Sequence, residues 1–173
     1  MKKTNPKLWG KLQAQLAPGE LKLDSATLEG HQGDKWFATG RPEAVALPRS
    51  SKAVSTILRF AHRHQIPVTP RGAGYGYVGG CVPLRGGIAL SVARMRRIKE
   101  IHEDDFVAVA QPGVITADLQ AKAEAKGLYY PPDPASRTDC SIGGNVATNA
   151  GGPRCLKYGV TSDYGLGLEV VLP

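Results

Sequence analysis

The pattern of hydrophobic and polar positions in the first quarter of the chain predicts a helix, a loop and a strand. Leucine recurs at every fourth position from Leu8 to Leu16, which predicts a short helix over Pro6–Leu16, ended by Pro18-Gly19. Residues 21–40 show little periodicity, so we expect a loop. Glu43–Leu47 alternates and stops before a proline, which predicts a strand.

A strand–helix–strand unit is predicted over residues 43–69. Ser50 or Ser51 is a good N-cap for a helix that ends near His64, and Ile66–Thr69 is the second strand. The expected buried face of the helix consists of Val54, Ile57, Leu58 and Ala61. Crossover sheets bind ligands beyond the carboxyl ends of their strands, so the residues after Thr69 are the first candidates for a site.

The second half of the chain is predicted to hold three more strands and one helix. Thr116 is the expected cap of the helix, which stops at Gly127, and prolines exclude regular structure from Tyr129–Pro134. The candidates for inward-facing residues are Ile98, Ile101, Leu119, Ala123 and Ala125. The predicted strands are Gly87–Val92, Phe106–Ala110 and Leu166–Leu172.

Pro70–Gly80 is a glycine-rich stretch that directly follows the predicted strand Ile66–Thr69. Its five glycines are Gly72, Gly74, Gly76, Gly79 and Gly80. Glycine takes positive φ at little cost and has no Cβ, so successive backbone N–H groups can line one concavity and bind a phosphate or diphosphate. A flexible surface loop is the alternative interpretation.

The familiar nucleotide-binding templates do not fit this stretch. A P-loop needs Lys and then Ser or Thr after its last glycine, where this chain has Cys81 and Val82. The run from Gly74 to Gly79 matches the dinucleotide spacing formally, but Pro83 and further glycines follow it instead of a helix. A Rossmann fold is therefore not expected.

Ser141–Gly152 forms a second cluster of glycine and other small residues. We expect a turn over Asn145–Ala150, where small side chains would let a flat ligand approach backbone amides. Asn145, Thr148 and Asn149 could add side-chain hydrogen bonds. A tightly packed helix–loop corner is the alternative.

Composition narrows the class of protein. A chain of 173 residues can form one domain, and its net charge of +7 comes from scattered basic residues without an RNA-binding motif. We therefore expect no nucleic-acid partner.

The N-terminal residues lack the apolar region of a signal peptide, and no run is long enough to cross a bilayer. An odd number of cysteines, three, favours a reducing compartment, and a cytoplasmic location is expected.

Taken together, several motifs occur in the order seen in one family. They are Pro70–Gly80, Gln111–Val114, Pro132–Pro134, Ser141–Gly152, Leu156–Gly159 and Gly167–Pro173. The chain resembles the FAD-binding part of the p-cresol methylhydroxylase/vanillyl-alcohol oxidase (PCMH-type) superfamily. Its nearest resemblance is to the branch of glycolate oxidase flavoprotein subunits, D-lactate dehydrogenases and D-2-hydroxyglutarate dehydrogenases.

The resemblance implies an α+β fold: an incomplete PCMH-type FAD-binding domain of two subdomains over residues 38–173, a small β-α-β unit and then a mixed sheet with helices. Residues 1–37 would be a helical and irregular lead-in. It also implies that FAD accepts a hydride from a 2-hydroxy acid and passes electrons to a quinone, cytochrome or electron-transfer protein. The implied FAD-binding residues are Pro70, Arg71, Gly72, Ala73, Gly74, Tyr75, Gly76, Tyr77, Pro134, Ala135, Ser136, Ser141, Gly143, Gly144, Asn145, Thr148 and Asn149.

The chain departs from the family pattern in two respects. Some members attach FAD to a histidine at the position of Tyr75, so we expect non-covalent FAD here. The chain also lacks the rest of the FAD domain and the substrate domain, so it is expected to be a fragment, inactive alone, without the family's catalytic base or metal ligands. The histidines match no catalytic or metal motif. They are His31, His62, His64 and His102.

Three other interpretations of the chain's function remain open. The chain could belong to another PCMH-type enzyme, such as a sugar or alditol oxidase or a UDP-sugar reductase. It could be an orphan fragment that binds FAD weakly or not at all. A basic nucleic-acid binder is the most distant alternative, and steep salt dependence of binding would reveal it.

Overall fold

The computed structural model describes residues 4–172. Residues 1–3, which begin the basic N-terminus, and Pro173, which ends the last family motif, lie outside the described residues. The chain divides into two compact units, one of residues 1–94 with 169–173 and the other of residues 95–168. The α+β class is confirmed by the helices and strands in both units.

A mixed four-stranded sheet organises the first unit. Its strands are β1 (Leu21–Lys22), β2 (Ala44–Ala46), β3 (Val68–Arg71) and β4 (Ile88–Ser91), in the order β1-β2-β4-β3. β2 and β3 both run parallel to β4, and β1 pairs antiparallel with β2. Val45 and Ala89 lie in register on neighbouring strands. The predicted strand–helix–strand unit is thus present, with β4 inserted between its two strands.

Three helices accompany this sheet: α1 (Pro6–Gln13), α2 (Ser25–Glu29) and α3 (Ser51–Arg63). The backbone N–H of Ala53 donates to Ser50 Oγ at 3.3 Å, so the predicted N-cap is confirmed at Ser50. The buried face of α3 is centred on Ile57, Phe60 and Ala61. Val54 and Leu58, which the sequence placed inside, pack at the margin of this core.

The predicted loop over residues 21–40 is wrong in its first part. Lys22 pairs with Val45, which makes β1 an edge strand of the sheet. Asp24 then caps α2, since its carboxylate accepts the N–H of Thr27 at 3.0 Å. β3 also begins and ends two residues later than predicted, so that Pro70 and Arg71 belong to the strand.

The second unit contains a two-stranded antiparallel sheet of β5 (Ile98–His102) and β6 (Val107–Ala110). Its helices are α4 (Thr116–Glu124), α5 (Ile142–Thr148), α6 (Cys155–Tyr158) and a single 3₁₀ turn over Thr161–Tyr164. The mixed sheet of the chain therefore lies in the first unit, among the residues that the structure describes.

Three predictions for the second unit are corrected. Thr116 does not cap α4: Ile115 holds the N-cap position, and the Thr116 hydroxyl faces the interior instead. Ala125 is exposed at the end of this helix. Most of the small-residue turn predicted over Asn145–Ala150 is the helix α5, so the helix–loop corner is the arrangement found.

The predicted strand Leu166–Leu172 is irregular in the structure. A strand needs a neighbour to bond its backbone groups, and residues 4–165 offer this segment none. Its apolar side chains are accordingly exposed: Leu166 by 82%, Leu168 by 67%, Val170 by 65% and Leu172 by 76%.

Candidate functional site

The glycine-rich loop begins where β3 ends, at the carboxyl edge of the parallel strands. Pro70 and Arg71 are the last strand residues, and Gly72–Gly80 form the loop. Gly74 has φ of +83°, and a Cβ at this position would come within 2.3 Å of the Arg71 guanidinium. The backbone conformation therefore favours glycine here, and any side chain would require the Arg71 guanidinium to shift.

Several backbone amides of this loop have no hydrogen-bond acceptor anywhere in residues 4–172. They are the N–H groups of Gly72, Ala73, Gly74, Gly76 and Tyr77. Residues 72–76 are half-buried, so the first four of these donors are partly shielded from water, whereas Tyr77 is exposed. Shielded backbone donors normally find a partner. A row of free amides around a left-handed glycine suits an anion such as a diphosphate.

Arg71 points back beneath the loop. Its Nη1 donates to the carbonyl oxygen of Gly33 at 2.6 Å and lies 3.4 Å from Cys81 Sγ. The guanidinium occupies the space that a Gly74 side chain would need. Arg71 therefore braces the loop in this structure, and the loop offers backbone donors on its own.

Residues 33–36 contact the glycine loop and were missed as site residues. The N–H of Gly79 donates to Asp34 Oδ2 at 2.8 Å, and the N–H of Lys35 donates to the carbonyl oxygen of Gly76 at 3.2 Å. The rings of Trp36 and Tyr77 meet edge to face, 5.8 Å between centroids. The sequence assigned these residues to the lead-in 1–37, and the boundary at residue 38 stays a prediction.

In the second unit, Pro134–Ser136 lies in a tight turn. The carbonyl oxygen of Pro134 accepts from Arg137 N–H at 2.8 Å, and that of Ser136 accepts from Cys140 N–H at 2.7 Å. Asp133, which precedes the turn, pairs with both Arg137 (3.2 Å) and Arg154 (3.3 Å). These contacts fix the backbone at Pro134, Ala135 and Ser136.

The polar side chains of α5 are largely engaged within the unit. Asn145, 2% exposed, donates from Nδ2 to Thr116 Oγ1 at 2.7 Å. Ser141 Oγ accepts from Gly144 N–H at 3.3 Å, and Thr148 donates to the Gly144 carbonyl oxygen at 3.0 Å.

Packing shapes the end of α5 and its second residue, Gly143. Asn149 adopts φ of 47° as the C-cap, and its Oδ1 accepts from Ser162 N–H at 2.9 Å. A Cβ on Gly143 would lie 2.7 Å from the Cβ of Pro112, so this glycine permits close packing. These interactions build the corner, and contact of its residues with a flavin stays a prediction.

Two titrating groups are shifted by burial. Burial lowers the pKa of His31 below its ordinary value of 6.5, opposed by the hydrogen bond between its Nδ1 and the Thr27 carbonyl oxygen at 2.8 Å. Burial also raises the pKa of the Tyr130 phenol. Neither shift marks a catalytic base.

The histidine and cysteine side chains make contacts with neighbouring residues. His64 stacks on Phe60 at 4.4 Å between ring centroids, and His102 Nε2 lies 2.8 Å from Glu100 Oε2. Residues 4–172 contain no group of three or more His, Cys, Asp or Glu that could hold a metal ion. The cysteines are unpaired: Cys81 is half-buried, Cys140 buried and Cys155 exposed.

Among residues 4–172, no helix is long and apolar enough to cross a membrane.

Residues 42–173 match the family model described as FAD binding domain, which is more than half of the chain. The chain belongs to this family. FAD is therefore its cofactor, and the predicted resemblance to PCMH-type flavoproteins is confirmed. The free amides of the glycine loop fit the diphosphate of FAD.

Curated relatives belong to the predicted branch. The chain is 50% identical to the glycolate oxidase subunit GlcD of Bacillus subtilis over 76% of its length, which is 28% of that protein. It is 40% identical to D-2-hydroxyglutarate dehydrogenase of Stutzerimonas stutzeri over 97% of its length, 36% of that protein. It is 38% identical to D-lactate dehydrogenase of Anaerostipes hadrus over 99% of its length, again 36% of the relative. The chain thus spans about a third of the relatives it matches.

Solved structures share the fold. Alkyldihydroxyacetonephosphate synthase superposes with a TM-score of 0.88 at 24% identity, over 98% of this chain and 33% of that one. p-Cresol methylhydroxylase superposes with a TM-score of 0.72 at 20% identity, over 83% of this chain and 29% of that one. These similarities show that the chain shares the fold of these proteins.

Proposed function

We propose that this chain is the FAD-binding portion of a longer flavin-dependent oxidoreductase that oxidises a 2-hydroxy acid by hydride transfer. The observation that carries the proposal is the row of shielded amides in the loop after β3, which lack acceptors among residues 4–172. The names of the relatives, which include glycolate oxidase, D-lactate dehydrogenase and D-2-hydroxyglutarate dehydrogenase, support the substrate class.

The role of this chain is to bind and orient the cofactor. The free N–H groups of the loop would hold the diphosphate, because an anion supplies the acceptors that they lack. They belong to Gly72, Ala73, Gly74, Gly76 and Tyr77. Pro134–Ser136 and Ser141–Asn149 would line the ribityl chain and the isoalloxazine ring. Bound FAD supplies the hydride acceptor, while the protein sets its position and surroundings.

Attachment of FAD is proposed to be non-covalent. Tyr75 stands where some members of the resembled superfamily carry the histidine that forms the covalent bond. The electron acceptor is proposed to be a quinone, a cytochrome or an electron-transfer protein. A cytoplasmic location is proposed from the odd number of unpaired cysteines.

The test is a visible absorption spectrum of the purified protein, as this chain and as the longer protein that contains it. We expect the bands of oxidised flavin in the long form, bleached by one of the three hydroxy acids named by the relatives. Acid precipitation should release the flavin into the supernatant. A long form that stays colourless after FAD is added would refute the proposal.

A further inference from the structure

We propose that Asp34 is a positioning residue for the FAD-binding loop, although it lies before the part of the chain that the family model covers. The inference rests on the proposed function, since it concerns how the same loop is held. Asp34 is separated from Gly79 by 45 residues in sequence, and its carboxylate is nevertheless bonded to the loop.

Both oxygens of the Asp34 carboxylate accept backbone hydrogen bonds. Oδ1 accepts from Trp36 N–H at 2.8 Å, and Oδ2 accepts from Gly79 N–H at 2.8 Å. A carboxylate can accept at both oxygens, whereas an amide side chain has only one. Bonds to an ionised acceptor are also stronger than neutral ones. The residue type therefore matches the task of joining two backbone segments.

Two further hydrogen bonds join the same segments. Lys35 N–H donates to the Gly76 carbonyl oxygen, and Arg71 Nη1 donates to the Gly33 carbonyl oxygen. Residues 33–36 thus bond to the end of β3, to the middle of the loop and to its far end. We call this segment the strap.

The strap accounts for the direction of one free amide, the N–H of Tyr77. In a planar trans peptide the C=O and the N–H point in opposite directions. Because the Gly76 carbonyl oxygen is held towards Lys35, the N–H of Tyr77 in the same peptide points to the other side. That N–H is one of the donors without an acceptor among residues 4–172. The strap holds one side of the loop and leaves donors free on the other.

The strap brings one carboxylate and one cation to the loop. The Asp34 oxygens are turned towards the amides of Trp36 and Gly79, which belong to the strap and to the far end of the loop. Lys35 lies beside the loop as well, with Nζ 5.0 Å from the centroid of the Tyr75 ring.

The test compares Asp34→Ala with Asp24→Ala in the long form of the protein. Asp24 is the matched control: its carboxylate also accepts a backbone N–H in the first unit, but that bond caps α2 and does not involve the glycine loop. We expect Asp34→Ala to weaken FAD binding about tenfold to hundredfold, as loss of bonds to a charged acceptor would. Asp24→Ala should bind FAD as the wild type does.

Asp34→Asn keeps one acceptor oxygen, so its FAD dissociation constant should lie between those of the wild type and Asp34→Ala. Hydrogen–deuterium exchange of residues 72–80 in the apoprotein gives a readout that does not depend on FAD. Exchange there should be faster in Asp34→Ala and unchanged in Asp24→Ala.

The outcomes separate the two proposals. A wild-type long form that takes up no FAD overturns the proposed function and this inference with it. A wild type that binds FAD, with an Asp34→Ala variant that binds it equally well, overturns the inference alone. Equal losses in Asp34→Ala and Asp24→Ala would mean general destabilisation of the first unit, which also contradicts a positioning role.

Discussion

Replacing Gly74 by alanine tests whether the shape of the glycine loop decides cofactor retention. The substitution acts in two ways. It places a side chain on a residue whose φ is +83°, and it puts the new Cβ within 2.3 Å of the Arg71 guanidinium. Arg71 would have to move, which breaks its 2.6 Å hydrogen bond to the Gly33 carbonyl oxygen.

The expected cost follows from these two effects. A left-handed conformation costs an L-residue about 1–2 kcal/mol. Losing a hydrogen bond from a charged donor costs about 1.5–3 kcal/mol. If both energetic costs fall on the loop conformation that binds FAD, FAD binding weakens by about 100-fold or more, since each 1.4 kcal/mol changes the dissociation constant about tenfold.

The assay is FAD titration of the apoprotein in its long form, followed by quenching of flavin fluorescence. Gly127→Ala is the matched control, because Gly127 also has a positive φ, of +71°, but a Cβ there would meet nothing within 4 Å. This control should lose a little stability and keep its affinity for FAD. A Gly74→Ala variant whose dissociation constant stays within about threefold of the wild type would refute the reasoning.

Two further predictions concern stability. Thr116→Val should lower the free energy of unfolding, measured by urea titration, by about 1–3 kcal/mol, because it leaves the buried Nδ2 of Asn145 without its acceptor. Thr116→Ser keeps the hydroxyl and should lower it by only about 1 kcal/mol. A larger loss of stability in Thr116→Ser than in Thr116→Val would contradict this. Burial lowers the pKa of His31, so the folded state binds fewer protons than the unfolded state, and stability should fall as the pH falls below 6.5. His31→Gln should flatten that decline in melting temperature, and an equally steep decline in the variant would contradict the assignment to His31.

Local signals explain why some elements were predicted correctly. The cap at Ser50 and the apolar periodicity that follows it depend only on neighbouring residues, and α3 forms where they indicate. The glycine loop was likewise located because a cluster of glycines disfavours both helix and strand. Asp24 offered a similar cap signal for α2, which the sequence analysis did not use.

Contacts between distant residues account for what was missed. Gly143 and Gly144 argue locally against a helix, yet α5 forms because Gly143 packs closely on Pro112 and Asn145 bonds to Thr116. The same bond turns Thr116 inward, so it cannot cap α4. The bond between Asp34 and Gly79 joins residues 45 apart, and no local pattern indicates it.

The three cysteines give the protein built-in reporters of local opening. Cys155 is exposed and should react with a thiol reagent at the rate of a free thiol, whereas Cys140 is buried beside Thr116 and should react only when the second unit opens. Cys81, half-buried against Arg71, belongs to the first unit and to the end of the glycine loop. Labelling rates of single-cysteine variants would therefore compare the opening free energies of the two units without the introduction of a new cysteine.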